Sequence, residues 1–373
     1  MTGSGLPARW AAVLAGDAEQ AAERFWSQVR RRTPGMCWPA EHDTVFAALG
    51  WLTAGGDDPA GRAAARAVLG RWIRRHGLLP EQLRILGAAL TTALAQVHGR
   101  AWSPEVAAAW DAAYQETAYA LLRVARRSGT GPAWWAAELV GRDRPAEGIA
   151  ILTVRPDRPL PFRPGQAVPV SLPGRPGRWR WYCPANAPRP DGTIDLHVRA
   201  VDGGLLSPEL VERSAVGDRL WLGPATGRGL VPGRTGRRDL LLIAGGTGLA
   251  PLRAIVDQVI DAGPNGREVI MVVGARTVEH LYDAVTLDKW QDAHEWLTVL
   301  PAISDDPLAH PVERGTAVRI ALRHEGPDQD IFLCGPTAMI HDALPRLVVA
   351  GVPLARIHLP ESYDEEPGQE PRG

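Results

Sequence analysis

A chain of 373 residues, 45% hydrophobic and 22% charged, has enough apolar material for packed cores and sets an expectation of two or three domains. The formal net charge is −1 and Lys289 is the single lysine among 41 basic residues, with no basic run interleaved with aromatics, which argues against a nucleic-acid surface. Cys37, Cys183 and Cys334 include no CxxC pair, no apolar run is long enough to cross a bilayer, and "WAAVLAG" is too short for a signal core, so the expectation is a soluble cytoplasmic protein without zinc or iron–sulfur ligation.

Residues 7–127 read as helices throughout. "DAEQAAERFWSQVRRR" begins acidic and ends basic, matching the helix dipole at both ends. "PEQLRILGAALTTALAQVHG" opens with Pro80 and Glu81, repeats leucine at helical spacing and closes at Gly99. "SPEVAAAWDAAYQETAYALLRVARR" follows the same grammar, with Ser103 as cap. From about residue 148 the texture changes to short alternating segments between Pro and Gly turns, including "GIAILTVRP", "QAVPVSL", "RWRWYC", "IDLHVRAV" and "DRLWLG", which predict a small antiparallel barrel. From about residue 238, "DLLLIAGG", "EVIMVVGA", "WLTVLPAIS" and "DIFLCGP" alternate with helical stretches in the rhythm of a parallel α/β sheet. The expected division is therefore an all-α domain over 1–130, a linker over 131–147, an antiparallel β-barrel over 148–234, a parallel-sheet α/β domain over 235–363 and a disordered tail over 364–373.

Four stretches carry chemistry. "LLLIAGGTGLAPLRAIV" is a buried strand, a glycine turn and a helix, whose glycines admit a ligand close to the backbone and whose helix N-terminus offers N–H groups to a phosphate; it also reads as a tight turn alone. "FRPGQAVPV" with "RWRWYCPANAP" offers Gln166, an aromatic wall in Tyr182 and, in Arg180, a cation suited to a diphosphate, or else an exposed cross-strand pair. In "GGLLSPEL", Gly204 and Ser207 can close on a phosphate, or Ser207 can cap the next helix. "FLCGPTAM" ends a buried strand with Cys334 and Gly335, and ligands of open α/β sheets bind at the carboxyl ends of strands; a buried cysteine is equally an ordinary small apolar residue.

These stretches, in this order, resemble the ferredoxin–NADP-reductase-like family: PGQ, R-x-Y-[ST], G-x-x-S, a GGTG-type loop followed by AP, then CGP-x-x-M. The resemblance covers about 148–360 and implies an FAD-binding barrel followed by a nucleotide domain. It places Gln166, Arg180, Tyr182 and Cys183 on FAD, with Gly204 and Ser207 at its diphosphate. It places Gly246, Thr247, Gly248, Arg276, Cys334 and Gly335 on the nicotinamide dinucleotide. Tyr182, Cys183 and Cys334 are then the residues nearest the reaction. Cys183 stands where the family has Ser or Thr, and in "RIHLPESY" Tyr363 replaces the aromatic that covers the flavin. "LPEQL…LGAALTTAL", "AWDAAY" and "WWAAELVGRDR" are similar to the globin domain and linker of flavohaemoglobins, which reduce FAD and then haem with NAD(P)H and oxidise nitric oxide to nitrate.

The haem-side residues depart from that pattern. Laid without a gap on "LGRWIRRHGLLPEQL", the proximal histidine position falls on Ile73, and the following tyrosine position falls on Leu83. His76 lies three residues further on, about 4.5 Å along a helix and about 60° around it, and beside Gly77 it reads as a helix C-cap or as an iron ligand. Trp26 takes the distal tyrosine position, Trp38 lies near the phenylalanine that packs on porphyrin, and His42 or Asp43 replaces the distal glutamine. Trp26, Trp38 and Trp72 are expected to fill the space, because an empty haem-sized cavity is strongly destabilising.

The sequence thus predicts a flavohaemoglobin-like NAD(P)H-dependent FAD oxidoreductase that passes electrons to a small-molecule or protein acceptor, with haem ligation lost. The alternatives are a haem nitric oxide dioxygenase using His76 or His42, and a redox- or nucleotide-sensing interaction protein with little turnover.

Overall fold

The computed structural model of the chain describes residues 5–16, 18–34, 38, 42–55, 58–173, 178–233, 238–326 and 328–361. Six helices come first: α1 (Leu6–Gly16), α2 (Ala18–Arg32), α3 (His42–Ala54), α4 (Pro59–Arg75), α5 (Pro80–His98) and α6 (Pro104–Arg127). Their starts follow from local chemistry. Asp58 caps α4, its Oδ1 accepting from the Gly61 N–H at 3.0 Å ahead of Pro59. Ser103 caps α6 by accepting from the Val106 N–H. Buried Tyr114 of α6 donates to the Leu83 carbonyl at 2.7 Å, and its ring lies where a Cβ on Gly87 would sit, so α5 and α6 approach closely.

The barrel follows as β1 (Trp135–Ala146), β2 (Ile149–Pro156), β3 (Val168–Ser171), β4 (Arg180–Tyr182), β5 (Ile194–Arg199) and β6 (Arg219–Leu222). The antiparallel order is β4-β3-β6-β1-β2-β5, and a Pro184–Leu196 bridge brings the two edges together. β1 lies inside the segment expected as a linker, so the barrel takes in most of residues 131–147. Trp135, Ala137 and Leu139 alternate inward, but alanine gives a weak alternating signal and the charged end of the strand hides the rest.

The third unit runs β7 (Asp239–Gly245), α7 (Leu249–Ala262), β8 (Val269–Ala275), α8 (Ala284–Ala293), β9 (Leu297–Ile303), α9 (Ala317–Ala321), β10 (Gln329–Cys334), α10 (Thr337–Val349) and β11 (Ile357–His358). The sheet is parallel in the order β11-β10-β7-β8-β9. The chain steps outward from β7 through β8 to β9, then returns to the other side of β7. The β7–β10 boundary is therefore the switch point where such sheets open a crevice.

The helical domain and the barrel share apolar packing. Trp179 is fully buried within the helical core, with Trp181 and Trp221 packed against it. A Cβ on Gly223 would lie 2.8 Å from Val68 of α4. Arg178 lies over the Trp51 ring at 4.5 Å. Among the described residues no helix is long and apolar enough to cross a membrane.

Candidate functional site

The switch point brings the two nucleotide-side motifs together. Cys334, at the end of β10, pairs in register with Ala244 of β7. The Gly246–Gly248 turn that follows β7 is partly open to solvent. A Cβ on Gly248 would fall 2.3 Å from the Cys334 carbonyl oxygen and 2.7 Å from the Gly335 nitrogen. Glycine is thus required there by close backbone approach, not only by turn geometry. Gly246 has φ +53, the left-handed conformation that glycine adopts at little cost. Arg276 is exposed at the same carboxyl edge, where its carbonyl accepts from the Asp305 N–H at 2.8 Å. Burial raises the Cys334 thiol pKa, and the nearby Cys183 adds to the shift, so the thiol stays protonated.

On the barrel side, β4 presents Arg180 and Tyr182, with Cys183 immediately after it. Tyr182 packs partly on the barrel core, and burial raises its phenol pKa. Burial pushes the Cys183 thiol up to about 12, so it is a neutral weak donor at physiological pH. Arg180 reaches out of the barrel, its Nη1 lying 2.6 Å from Asp58 Oδ2 at the start of α4. Ser207 does not cap the helix after it. Its Oγ accepts from the Val201 N–H at 3.2 Å, closing the loop that contains Gly204. Gln166 spends its side chain locally, accepting from the Arg163 N–H and donating to the Gly227 carbonyl, and so ties the PGQ turn to the barrel end. Arg180, Tyr182 and Cys183 are partly exposed at the end of β4, and the Gly204–Ser207 loop is closed by its own hydrogen bond. Tyr363 and the 364–373 tail lie outside the described residues.

The cleft is held by polar residues that the sequence reading missed. Arg253 of α7 is 9% exposed. Its Nε lies 2.7 Å from Asp283 Oδ2, its Nη1 donates to the Ala185 carbonyl at 2.6 Å, and its guanidinium sits 4.8 Å from the Trp290 ring. Asp257, one turn along α7, accepts from the Ala187 N–H. Asp195 of β5 is bonded by Arg189 and Thr153; burial opposes its ionisation, but these bonds and the Arg189 and Arg253 charges outweigh it and lower its pKa. Asp283 shifts upward because burial outweighs the pull of Arg253. Two residues further along β5, on the same face, His197 is 4% exposed. Its Nδ1 lies 3.1 Å from the Tyr282 hydroxyl, which donates to the Gly246 carbonyl at 3.3 Å. Burial holds the His197 pKa at about 3, and its Nε2 has no partner among the described residues. The proton is therefore assigned to Nδ1, since the other tautomer would bury an unpaired N–H. A charged residue inside the otherwise apolar "LAPLRAIV" and a histidine within "IDLHVR" were the available signals.

Ile73, at the expected ligand position, is 2% exposed and sits in the core. Trp26 and Trp38 lie 5.6 Å apart between ring centroids, Trp38 and Trp72 are stacked at 6.4 Å, and Trp72 is 5.3 Å from the His76 ring. A porphyrin between Trp38 and Trp72 needs two van der Waals gaps of about 3.5–4.0 Å each. The rings are closer than that, so no porphyrin fits between them. His76 caps α4, its N–H donating to the Trp72 carbonyl at 3.1 Å. Burial, then the Arg75 charge, lowers its imidazole pKa. The His42 side chain lies outside the described ones, and among the described residues no group of His, Cys, Asp or Glu has the makings of a metal site.

Comparison with known proteins finds three families along the chain. Residues 40–121 match the globin family, 145–228 the oxidoreductase FAD-binding domain and 242–344 the oxidoreductase NAD-binding domain. The chain is 31% identical over 204 residues to the reductase component of phenol 2-monooxygenase from Pseudomonas sp. (strain CF600), covering 53% of this chain and 56% of that protein. It is similar in structure to an Amycolatopsis cytochrome P450 reductase (TM-score 0.56, 30% identity, 61% of this chain and 68% of that one). A flavohaemoglobin from Malassezia yamatoensis with bound FAD and haem matches 95% of this chain and 98% of its own at TM-score 0.55 and 17% identity, a likeness of fold. The chain spans a little over half the length of the first curated relatives it matches. The chain thus joins a globin domain to FAD-binding and NAD-binding oxidoreductase domains.

Proposed function

We propose that this chain takes hydride from NAD(P)H onto FAD and passes the electrons to a small-molecule or protein acceptor, with a globin domain that works without haem. The observation that carries this reading is the Gly246–Gly248 loop seated on the Cys334 carbonyl at the sheet switch point, in a cleft bolted to the barrel through Arg253 and Asp257. Bound FAD supplies the chemistry of accepting a hydride and releasing its electrons onward. Arg180, Tyr182, Cys183, Gly204 and Ser207 would hold it, with Gln166 supporting the turn behind them. Gly246, Thr247, Gly248, Arg276, Cys334 and Gly335 would hold the dinucleotide. The protonated thiols of Cys183 and Cys334 pack and donate weakly, and neither serves as a nucleophile.

The acceptor follows the relatives, several of which are reductase components of oxygenase systems. A partner protein of that class fits a reductase that carries no haem of its own. Free thiols at Cys183 and Cys334 suit a cytoplasmic setting. The test is anaerobic titration of the FAD-loaded protein with NADH and with NADPH. Stoichiometric bleaching of the flavin supports the reading, and an unreduced flavin in excess of both nucleotides refutes it.

A second reading, a haem nitric oxide dioxygenase, draws on one observation: the enclosed His76 Nε2 has no hydrogen-bond partner among the described residues. The Trp38–Trp72 stack weighs against it.

A further inference from the structure

We propose that His197 and Tyr282 form a positioning relay through which the flavin barrel sets the dinucleotide loop. The proposal rests on the assignment of Gly246–Gly248 to the dinucleotide.

His197 belongs to barrel strand β5, whereas Tyr282 precedes α8 in the nucleotide domain. Their rings meet edge to face at 5.3 Å, and both side chains are buried. With the proton on Nδ1, His197 donates to the Tyr282 oxygen, and the tyrosine O–H is left to donate to the Gly246 carbonyl. Among the described residues these are the hydrogen bonds that the two side chains make.

Gly246 is where an outside constraint has most effect. It has no side chain to anchor it, and at φ +53 it occupies a region open to glycine at little cost, so its peptide is free to rotate unless something holds it. The carbonyl accepts from the Leu249 N–H within the turn and from Tyr282 across the domain boundary. In a trans peptide the next N–H points opposite to the carbonyl. The bond from Tyr282 therefore also sets the direction of the Thr247 N–H, a backbone donor in the loop expected to meet the dinucleotide. Arg253 and Asp257 fix the helix after the loop, and the His197–Tyr282 pair fixes the loop itself. The relay positions the loop and takes no part in hydride transfer.

The experiment titrates NAD+ and NADP+ into oxidised, FAD-loaded, full-length protein by calorimetry. It compares the wild type with Tyr282→Phe, His197→Leu, the double variant and His197→Asn, with flavin content measured for each. Losing one hydrogen bond predicts Kd for the bound nucleotide rising about five- to tenfold in each of the first two variants. The double variant should be no weaker than either single one, because the two groups act in series. His197→Asn keeps a donor near Nδ1 and should recover most of the affinity. In NAD(P)H oxidation the same variants should raise KM and leave kcat within about twofold. Unchanged Kd in Tyr282→Phe, or additive losses in the double variant, would overturn the relay while leaving the oxidoreductase reading standing. Flavin loss in Tyr282→Phe would overturn it too, since the hydroxyl would then serve the barrel. A wild type that binds neither nucleotide would overturn the loop assignment and the relay together.

Discussion

Arg180 Nη1 lies 2.6 Å from Asp58 Oδ2, so the arginine expected at the flavin diphosphate is held at one edge by the first turn of a globin helix. Asp58 does two things at once, since its Oδ1 also caps α4 through Gly61. A Cβ on Gly61 would lie 2.2 Å from Arg180 Nη1, so a larger residue there would push the pair aside.

Asp58→Ala removes both the cap and the ion pair, and should cost about 1–2 kcal/mol in chemical denaturation. Asp58→Asn keeps the capping oxygen and loses only the charge. Because both side chains are part-exposed, its cost should stay below about 1 kcal/mol. Equal losses in the two variants would show that the ion pair, and not the cap, carries the effect.

The stacked tryptophans should behave as core. Trp72, 1% exposed, is expected to cost about 3–5 kcal/mol on replacement by alanine. Ile73→His, which restores a histidine at the aligned ligand position, should not restore haem binding, because Trp38 and Trp72 still occupy the space. Stoichiometric haem in Ile73→His would show that the loss lies in the ligand alone.

The pH dependence of stability should carry the mark of His197. Its folded pKa of about 3 lies far below the unfolded value of about 6.5. Its contribution is complete above about pH 6.5. Below that the unfolded chain takes up a proton that the native chain refuses, and stability falls toward pH 3 by up to about 1.4 kcal/mol per pH unit. His76, His98 and His358 shift in the same direction, so the comparison is with His197→Leu, whose urea midpoint should fall less steeply over this window. Parallel curves would contradict the assignment.

Much of the site was legible in the sequence because backbone demands leave glycines behind. GGTG and CGP meet at the switch point, and only a residue without a Cβ fits at Gly248 against the Cys334 carbonyl. β1 was hidden by small inward residues and a charged end. The Asp58–Arg180 pair and the His197–Tyr282 contact join residues from different domains, and no local pattern announces such a meeting. The filling of the globin core was foreshadowed by tryptophans at haem-facing positions, although the Trp38–Trp72 stack itself is a tertiary fact.

Cys183 is the departure closest to the expected flavin. A hydroxyl donates a stronger hydrogen bond than a thiol whose pKa burial pushes up to about 12. Cys183→Ser should therefore speed flavin reduction by about five- to tenfold in stopped-flow mixing with NAD(P)H, the worth of one hydrogen bond. An unchanged rate would place the Cys183 side chain away from the reacting flavin.

The most direct test of the account is the absorption spectrum of the full-length protein purified from haem-supplemented cells, recorded before and after addition of NAD(P)H. The account predicts flavin bands that bleach on reduction and no Soret band. A stoichiometric Soret band that shifts with carbon monoxide and disappears in His76→Ala would contradict it, and would make this a haem enzyme whose helix α4 slides to bring His76 to the iron.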